Sequence, residues 1–212
     1  MSSYTLFWGK GSGAFPVAVM LEAAGVAFEE REVYFSDDKL TNAELQAVNP
    51  RGQVPALVLP DGQVMTESAA ICLYLGDRHS ESGLLPAMEE PARVAIQRWL
   101  VFAATQLYED ILRIYYTDRY TTDPKGIEGV KASAVAALDA HAGLVQEAMQ
   151  GRPFFLGDRM TILDVYLAAI ATWHPRRGQD GQRFAIFKEL AEAVSADPRV
   201  ASIWARYEMD RV

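Results

Sequence analysis

The sequence predicts an α/β domain followed by an all-helical domain, and two observations support this. Up to about residue 80, short β-prone segments alternate with helical patterns in the order β-α-β-α-β-β-α, which indicates a mixed sheet flanked by helices. After Pro91 the apolar residues recur only at helical spacing. A stretch containing Ser, Gly and Pro separates the two patterns. We therefore assign residues 1–80 to the first domain, 81–90 to a linker and 91–212 to the second domain.

The strands and helices of the first domain are predicted from their patterning and from the turns between them. Tyr4–Trp8 is short and aromatic, and Phe28–Phe35 alternates apolar and charged residues, so both segments favour strands. Pro60-Asp61-Gly62 is a tight turn that joins the last two strands into an antiparallel hairpin. In chain order the predicted strands are Tyr4–Trp8, Phe28–Phe35, Ala56–Leu59 and Gln63–Met65, and the predicted helices are Ala14–Ala24, Thr41–Val48 and Glu67–Arg78.

The second domain is predicted to be a helical bundle. Its first long helix carries an apolar stripe from Ile96 to Ile114, and an Ala-rich helix follows over Lys125–Gln150. Thr161–Trp173 is very apolar, which predicts the central helix of the bundle. Thr161 and Asp164 have capping-box spacing, so we expect them to begin this helix and to have no catalytic role. Two shorter helices are predicted, around Phe184–Val194 and Pro198–Glu208.

Composition and charge argue against several classes of function. The chain has 212 residues and a net charge of −8, which argues against nucleic acid as the main partner. Cys72 is the single cysteine and no Cys and His residues have zinc spacing, so we expect no metal and no redox cofactor. The N-terminus lacks a signal-peptide pattern, and no run approaches the ~18 apolar residues of a membrane span. We therefore expect a cytoplasmic protein without membrane contact.

The segment Asn49-Pro50-Arg51-Gly52-Gln53-Val54-Pro55-Ala56-Leu57 places a proline directly before a predicted buried strand. Proline in that position removes a hydrogen-bond donor from the strand ladder. If the Val54–Pro55 bond is cis, the chain turns sharply and the N–H and C=O of Val54 face solvent. An extended peptide can then pair with them as an added strand. A trans proline that marks the start of the strand is the simpler alternative, because only about 5–6% of X–Pro bonds are cis.

A second feature, Thr66-Glu67-Ser68, begins the third predicted helix. The N–H groups and the positive dipole end of a helix N-terminus attract anions. The Ser68 hydroxyl can donate to a carboxylate and the Glu67 carboxylate can pair with an ammonium group, which suits the zwitterionic end of an amino acid. Plain helix capping by Thr66 or Ser68 is the simpler alternative.

Together these features resemble the glutathione transferase superfamily. The segment NPRGQVPALVLPDGQVMTESAAICLYLGDR is similar to the glutathione-site signature of its bacterial members. The resemblance implies a thioredoxin-like first domain with a cis proline at Pro55. It also implies that Val54 pairs with the cysteinyl backbone of glutathione, and that Glu67 and Ser68 hold the γ-glutamyl end. The other implied glutathione-binding residues are Gln53, Lys39 and Arg51. The charges of the last two suit the glycyl carboxylate, and a solvated surface position is the alternative for both.

The resemblance places the residue that ionises the thiol near the end of the first strand or the start of the first helix. The thiolate is the nucleophile, and a hydrogen-bond donor near a helix N-terminus lowers a thiol pKa. Phe7 stands where tyrosine-type members keep their tyrosine, and a phenyl ring cannot donate. Ser12 lies within one position of the usual Ser or Cys, so it is our catalytic candidate, with adjacent N–H groups as alternative donors. A loop serine that serves only the turn is the other interpretation.

The function that the resemblance implies is conjugation of glutathione, as co-substrate, to a small apolar electrophile, a detoxification reaction carried out by a homodimer. The residues implied for the electrophile pocket are Tyr108, Leu112, Tyr115 and Trp173. Ordinary packing or dimer contacts are the alternative for each of them. Two other functions stay open: a glutathione-dependent peroxidase, which needs the same thiolate, and a non-catalytic binding or interaction protein with the same fold.

Overall fold

The computed structural model describes residues 3–36, 39–40, 42–175 and 185–211. Contacts divide the chain into two compact units, one containing the described residues up to Arg93 and from Val194 onward, the other containing Val94–Ala193. These units differ from the predicted domains at the C-terminus. The residues from Val194 onward, which we assigned to the helical domain, pack with the α/β unit, because large aromatic side chains there are buried against the start of the chain.

The first unit is built on a mixed sheet. Its strands are β1 (Tyr4–Trp8), β2 (Phe28–Glu32), β5 (Ala56–Val58) and β6 (Val64–Met65), and a separate hairpin is formed by β3 (Phe35–Ser36) and β4 (Lys39–Leu40). The sheet order within the described residues is β2-β1-β5-β6. β1 is parallel to β2 and antiparallel to β5, and β5 is antiparallel to β6. The predicted mixed sheet with a terminal hairpin is therefore confirmed.

The second predicted strand is shorter than expected. β2 ends at Glu32 and not at Phe35, because its partner β1 ends at Trp8 and the Val33 N–H donates to the Trp8 carbonyl at 2.7 Å. The chain beyond Tyr34 forms the β3–β4 hairpin, which the sequence did not predict.

Three helices pack on this sheet: α1 (Phe15–Ala23), α2 (Ala43–Val48) and α3 (Ser68–Arg78). α1 has a proline in its first turn and is buried from Phe15 through Leu21, as expected for a helix that is apolar all round. Asn42 caps α2, since its Oδ1 accepts from the Leu45 N–H at 3.0 Å. Thr41, the predicted first residue of that helix, lies outside the described residues.

The second unit is helical, as predicted. Its helices are α4 (Ala92–Phe102, which begins at the unit boundary), α5 (Tyr108–Tyr115), α6 (Ile127–Met149), α7 (Ile162–Trp173) and α8 (Ala185–Ala196, which extends past the second boundary). A π-helical turn at Ala103–Leu107 joins α4 to α5, which the sequence predicted as one helix. The apolar stripe is confirmed by the burial of Ile96, Leu100, Ala103, Leu107, Ile111 and Ile114.

The central helix α7 begins at the predicted capping box. Asp164 is fully buried, and its Oδ2 accepts from the Thr161 N–H at 2.7 Å and the Thr161 hydroxyl at 2.8 Å. Its Oδ1 accepts from the Phe155 N–H at 2.7 Å. The carboxylate therefore joins the start of α7 to the preceding loop, which is the folding role that the spacing predicted.

The chain then returns to the first unit through α9 (Ala201–Arg206). The Trp204 ring meets Phe15 edge to face, with ring centroids 5.4 Å apart. The Tyr207 ring lies 4.1 Å from the Trp8 ring, and Tyr207 is completely buried. These contacts place the C-terminal segment over the end of β1 and the start of α1.

Candidate functional site

Three of the predicted site segments lie at one edge of the sheet in the first unit. β1 and β5 are antiparallel with Phe7 opposite Ala56, so continuing that register places Trp8 opposite Pro55. Continuing the register of the β5–β6 hairpin in the same way places Glu67 on the other side of Pro55. The loop after β1, the peptide before β5 and the start of α3 therefore meet at this edge.

The Val54–Pro55 peptide is cis, which confirms the expectation drawn from the resemblance. The buried Asn49 holds the loop that precedes this peptide. Its Nδ2 donates to the Gln53 carbonyl at 2.7 Å, and its Oδ1 accepts from the Arg51 N–H at 3.2 Å. Within the described residues, no hydrogen bond uses the N–H or C=O of Val54. This short piece of backbone can therefore pair with an extended ligand.

Glu67 adopts an unusual backbone conformation directly before α3. Its φ of 63° and ψ of 97° lie in a region that residues other than glycine rarely occupy, and such residues cluster at functional sites. The Glu67 carbonyl accepts the first helical hydrogen bond, from the Ile71 N–H at 3.0 Å. Ser68 is the first residue of the helix, and the described first turn contains no acidic side chain. The positive end of the α3 dipole therefore has no protein carboxylate within its first turn.

Arg51 and Glu67 form an ion pair at the same edge, with 3.2 Å between Nη1 and Oε1. The two side chains are 67% and 69% exposed, so solvent screening keeps the pair weak. A ligand with both an ammonium and a carboxylate can therefore take the place of this pair with little loss of free energy. Its ammonium would bind Glu67 and its carboxylate would bind Arg51. The sequence predicted both residues for a ligand, yet it assigned them to opposite ends of it.

Ser12 organises the glycine-rich loop that connects β1 to α1. Its Oγ accepts from the N–H groups of Gly9 and Ala14, each at 3.3 Å, and its carbonyl accepts from the Phe15 N–H at 3.1 Å. These bonds support the interpretation of Ser12 as a turn residue. Among the described residues, no hydrogen bond uses the Ser12 hydroxyl proton or the Gly13 N–H. Both donors are thus available beside the N-terminus of α1.

Two other side chains near these segments have structural roles. Phe7 is buried in an apolar cluster with Val33, Leu45 and Ala56, so it contributes packing and no donor. Cys72 on α3 is fully buried, and burial raises the pKa of its thiol. Cys72 is therefore a packing residue, and its protonated sulfur is not a nucleophile.

One set of contacts to this site has no signal in the sequence. The Gly11 N–H donates to the Tyr207 carbonyl at 2.8 Å, and Lys10 Nζ lies 2.6 Å from Glu208 Oε1. Lys10 and Glu208 are 198 residues apart in the chain, so no local pattern could have signalled the pairing.

Comparison with known proteins identifies the family. A family model described as the glutathione S-transferase N-terminal domain matches residues 14–78. Glutathione S-transferase GstA of Escherichia coli O157:H7 is 31% identical over 169 residues, which cover 79% of this chain and 81% of the relative. The chain belongs to the glutathione S-transferase superfamily.

Solved structures agree with the predicted fold. A glutathione transferase homolog from Sulfitobacter, with bound glutathione, aligns with a TM-score of 0.86 and 24% identity, covering 97% of this chain and 99% of that one. A glutathione transferase from Methylococcus capsulatus strain Bath aligns with a TM-score of 0.83 and 28% identity over the same shares. The predicted fold, a thioredoxin-like domain followed by a helical domain, is therefore confirmed for this member of the superfamily.

The predicted electrophile pocket residues of this chain lie in the helical unit. The Tyr108 ring meets the Trp173 ring edge to face, with centroids 5.2 Å apart. Leu112 is half-buried one turn after Tyr108 on α5, while Tyr115 at the end of α5 is 56% exposed. The structure thus brings Tyr108 and Trp173 together, and the pocket role of all four residues stays a prediction.

Two further observations bear on the predicted partners of this chain. None of the helices described is both long enough and apolar enough to cross a membrane. In the same part of the chain, no group of three or more His, Cys, Asp and Glu side chains is arranged to hold a metal ion. The backbone of Lys39 lies in β4, and its side chain is outside the described residues, so its glutathione contact also stays a prediction.

Proposed function

We propose that this chain binds glutathione at the sheet edge and adds its thiolate to a small apolar electrophile. The observation that carries the proposal is the cis Val54–Pro55 peptide at the same edge as Glu67 and Ser68. One segment offers unused backbone groups to a peptide, and the other offers a carboxylate and a helix N-terminus to an amino-acid zwitterion. The family assignment and the Sulfitobacter homolog with bound glutathione support this choice of ligand.

Each end of glutathione has a partner in this proposal. The N–H and C=O of Val54 pair with the cysteinyl backbone, Glu67 binds the γ-glutamyl ammonium, and Ser68 donates to the γ-glutamyl carboxylate. Arg51 lies beside Glu67, so we assign its guanidinium to the γ-glutamyl carboxylate and not, as the sequence analysis did, to the glycyl one. Lys39 keeps its proposed role at the glycyl carboxylate.

The chemical step needs an ionised thiol. A free thiol has a pKa of about 8.5, so most of it is protonated at neutral pH. The Ser12 hydroxyl and the Gly13 N–H donate to the sulfur, and the N-terminus of α1 adds its positive dipole end, so all three favour the thiolate. The thiol proton leaves to solvent, the sulfur lone pair forms a C–S bond with the electrophile, and the leaving group departs with the bonding pair.

Ultraviolet difference absorbance of added glutathione, titrated against pH, tests the proposal because it reports binding and thiolate formation together. We expect a saturable thiolate signal with an apparent pKa well below that of free glutathione. Ser12→Ala should raise that pKa while glutathione affinity stays nearly the same, since Ser12 has no part in holding either end of the ligand. If the pKa of the bound thiol is unchanged in Ser12→Ala, the Gly13 N–H and neighbouring backbone are the donors.

A non-catalytic glutathione-binding protein is the second candidate. The observation that favours it is that Ser12 Oγ already accepts two loop N–H groups, so its position is explained by the turn alone. This candidate predicts that glutathione binds without any thiolate signal across the pH range.

The transferase proposal also includes a homodimer and an apolar electrophile pocket with Tyr108 and Trp173. Sedimentation tests the homodimer, and an electrophile screen tests the pocket.

A further inference from the structure

A C-terminal strap, residues 201–210, holds the loop that follows β1. The Gly11 N–H donates to the Tyr207 carbonyl at 2.8 Å, and Lys10 Nζ lies 2.6 Å from Glu208 Oε1. The loop held in this way also contains Ser12 and Gly13, whose free donors the transferase proposal assigns to the glutathione sulfur. The strap therefore contacts the segment that carries the thiol donors.

The strap is itself held firmly on the sheet. Tyr207 is completely buried, its ring lies 4.1 Å from the Trp8 ring, and its hydroxyl donates to Glu30 Oε1 at 3.0 Å. Arg206 Nε lies 3.4 Å from the other oxygen of Glu30. Burial and the Glu30 carboxylate raise the Tyr207 pKa, so the phenol keeps its proton and remains a donor. Movement of the strap would break these contacts to β1 and β2.

The hydrogen bonds within the loop are 3.1–3.3 Å long, so the contacts from the strap also help to fix its position. Three residues of Gly9-Lys10-Gly11-Ser12-Gly13 are glycines, which lose the most conformational freedom when they are ordered. The two bonds to Ser12 Oγ are 3.3 Å long, at the far end of hydrogen-bond distances. The contacts to Tyr207 and Glu208, at 2.8 and 2.6 Å, are much shorter. The strap thus supplies the shorter contacts to this loop, although solvent screening weakens the partly exposed Lys10–Glu208 pair.

We propose that Tyr207 and Glu208 are positioning residues for the thiol site, holding the loop so that the Ser12 hydroxyl and Gly13 N–H point to the sulfur of bound glutathione. This inference rests on the proposed transferase function. It assigns a role in ionising the ligand to residues far from the glutathione signature in the sequence. Neither side chain is expected to touch glutathione.

The test compares Glu208→Gln and Tyr207→Phe with the unaltered full chain, using the ultraviolet thiolate signal of bound glutathione against pH. Glu208→Gln removes the charge that pairs with Lys10, and Tyr207→Phe keeps the buried ring but removes the donor to Glu30. We expect each change to raise the apparent pKa of the bound thiol and to lower the thiolate fraction at neutral pH about threefold. Glutathione affinity should stay nearly unchanged, because Val54, Glu67 and Ser68 are intact.

The matched control is Glu192→Gln, which removes an exposed ion pair with Lys188 on α8 and should leave the bound-thiol pKa unchanged. A bound-thiol pKa that rises in either strap variant, but not in the control, supports the proposal. A pKa that stays at the wild-type value in both variants overturns it, even if their melting temperatures fall, because the strap is then only structural. Wild-type protein that binds glutathione without ionising it overturns the transferase proposal and this inference together.

Discussion

At the residue scale, Glu67 combines backbone strain with a ligand role. A side chain at φ 63° and ψ 97° costs on the order of 1–3 kcal/mol, whereas glycine adopts positive φ freely. The strain is useful if it holds the carboxylate beside Arg51, where the γ-glutamyl end of glutathione is proposed to bind. Replacing Glu67 with glycine should therefore raise the free energy of unfolding and weaken the binding of glutathione.

We predict that Glu67→Gly raises the free energy of unfolding by about 1 kcal/mol, the relieved strain less the entropy cost of a glycine. The same variant should bind glutathione about tenfold more weakly, because the ammonium loses its charged partner. Urea unfolding and a binding titration measure the two effects. Glu67→Gln is the control, since it loses the charge but keeps the strain. If Glu67→Gly is no more stable than Glu67→Gln, the backbone strain is not real.

Sequence alone identified the short-range features of the site and missed the pairings. Val54, Pro55, Glu67 and Ser68 could be proposed from the sequence because each expected role depends on a neighbour in the chain, such as a proline before a strand. The Arg51–Glu67 ion pair could not be found, because it forms between the loop before β5 and the residue that precedes α3, 16 positions apart in the chain. For that reason Arg51 is now proposed to bind the γ-glutamyl carboxylate and not the glycyl carboxylate.

At the element scale, the turn between α8 and α9 directs the chain back to the α/β unit. Asp197 accepts from the Arg199 N–H at 2.9 Å and from its guanidinium at 2.8 Å, and the Asp197 carbonyl accepts from the Val200 N–H. The hydrogen bond from the Arg199 side chain lowers the pKa of Asp197 below the usual value of 3.8 for an aspartate. The ionised carboxylate is therefore favoured in the folded chain.

This lowered pKa predicts how stability depends on pH. Because the folded state binds the proton more weakly than the unfolded state, the contribution of Asp197 is complete above pH 3.8 and is lost as pH falls through the lower folded pKa. Asp197→Asn should cost about 1 kcal/mol at neutral pH and progressively less below pH 3.8. Urea unfolding at neutral pH and below pH 3.8 measures this cost, with Glu189→Gln at an exposed position on α8 as the control. A cost that does not vary with pH would contradict the assignment.

Most elements could be predicted, and those that could not depend on distant partners. β1 and the helices α6 and α7 match their predicted ranges closely, because apolar periodicity and caps are local signals. The end of β2 depends on where β1 stops. The π-helical turn at Ala103–Leu107 does not interrupt the apolar stripe, so the spacing of apolar residues in the sequence does not indicate it.

At the scale of the whole molecule, the α/β unit is completed by residues from the other end of the chain. Trp204 and Tyr207 cover Phe15 and Trp8, and all four side chains are buried. Truncating a buried aromatic typically costs about 3–5 kcal/mol, a large part of the stability of an ordinary domain. Trp204 and Tyr207 fall in the predicted helical domain, and Trp8 and Phe15 in the α/β domain, because domains predicted from sequence follow chain order.

We predict that residues 1–93 alone do not unfold cooperatively, and that joining residues 194–212 through a flexible linker restores cooperative unfolding. The physical reason is that the short fragment leaves Trp8 and Phe15 exposed to water. Urea unfolding followed by near-ultraviolet circular dichroism compares the two proteins. The control carries Trp204→Ala and Tyr207→Ala in the joined protein and should behave like the fragment. Equal cooperativity in all three would show that the C-terminal residues do not complete this unit.

The Lys10–Glu208 contact also has a consequence for biosynthesis. The two residues are 198 positions apart, so at about 5–20 residues per second the ribosome delivers Glu208 roughly 10–40 s after Lys10. During that interval the entire helical unit emerges while Trp8 and Phe15 still lack their partners. A nascent chain therefore lacks the completed loop. Glutathione can bind the completed site only after the last helix has been translated.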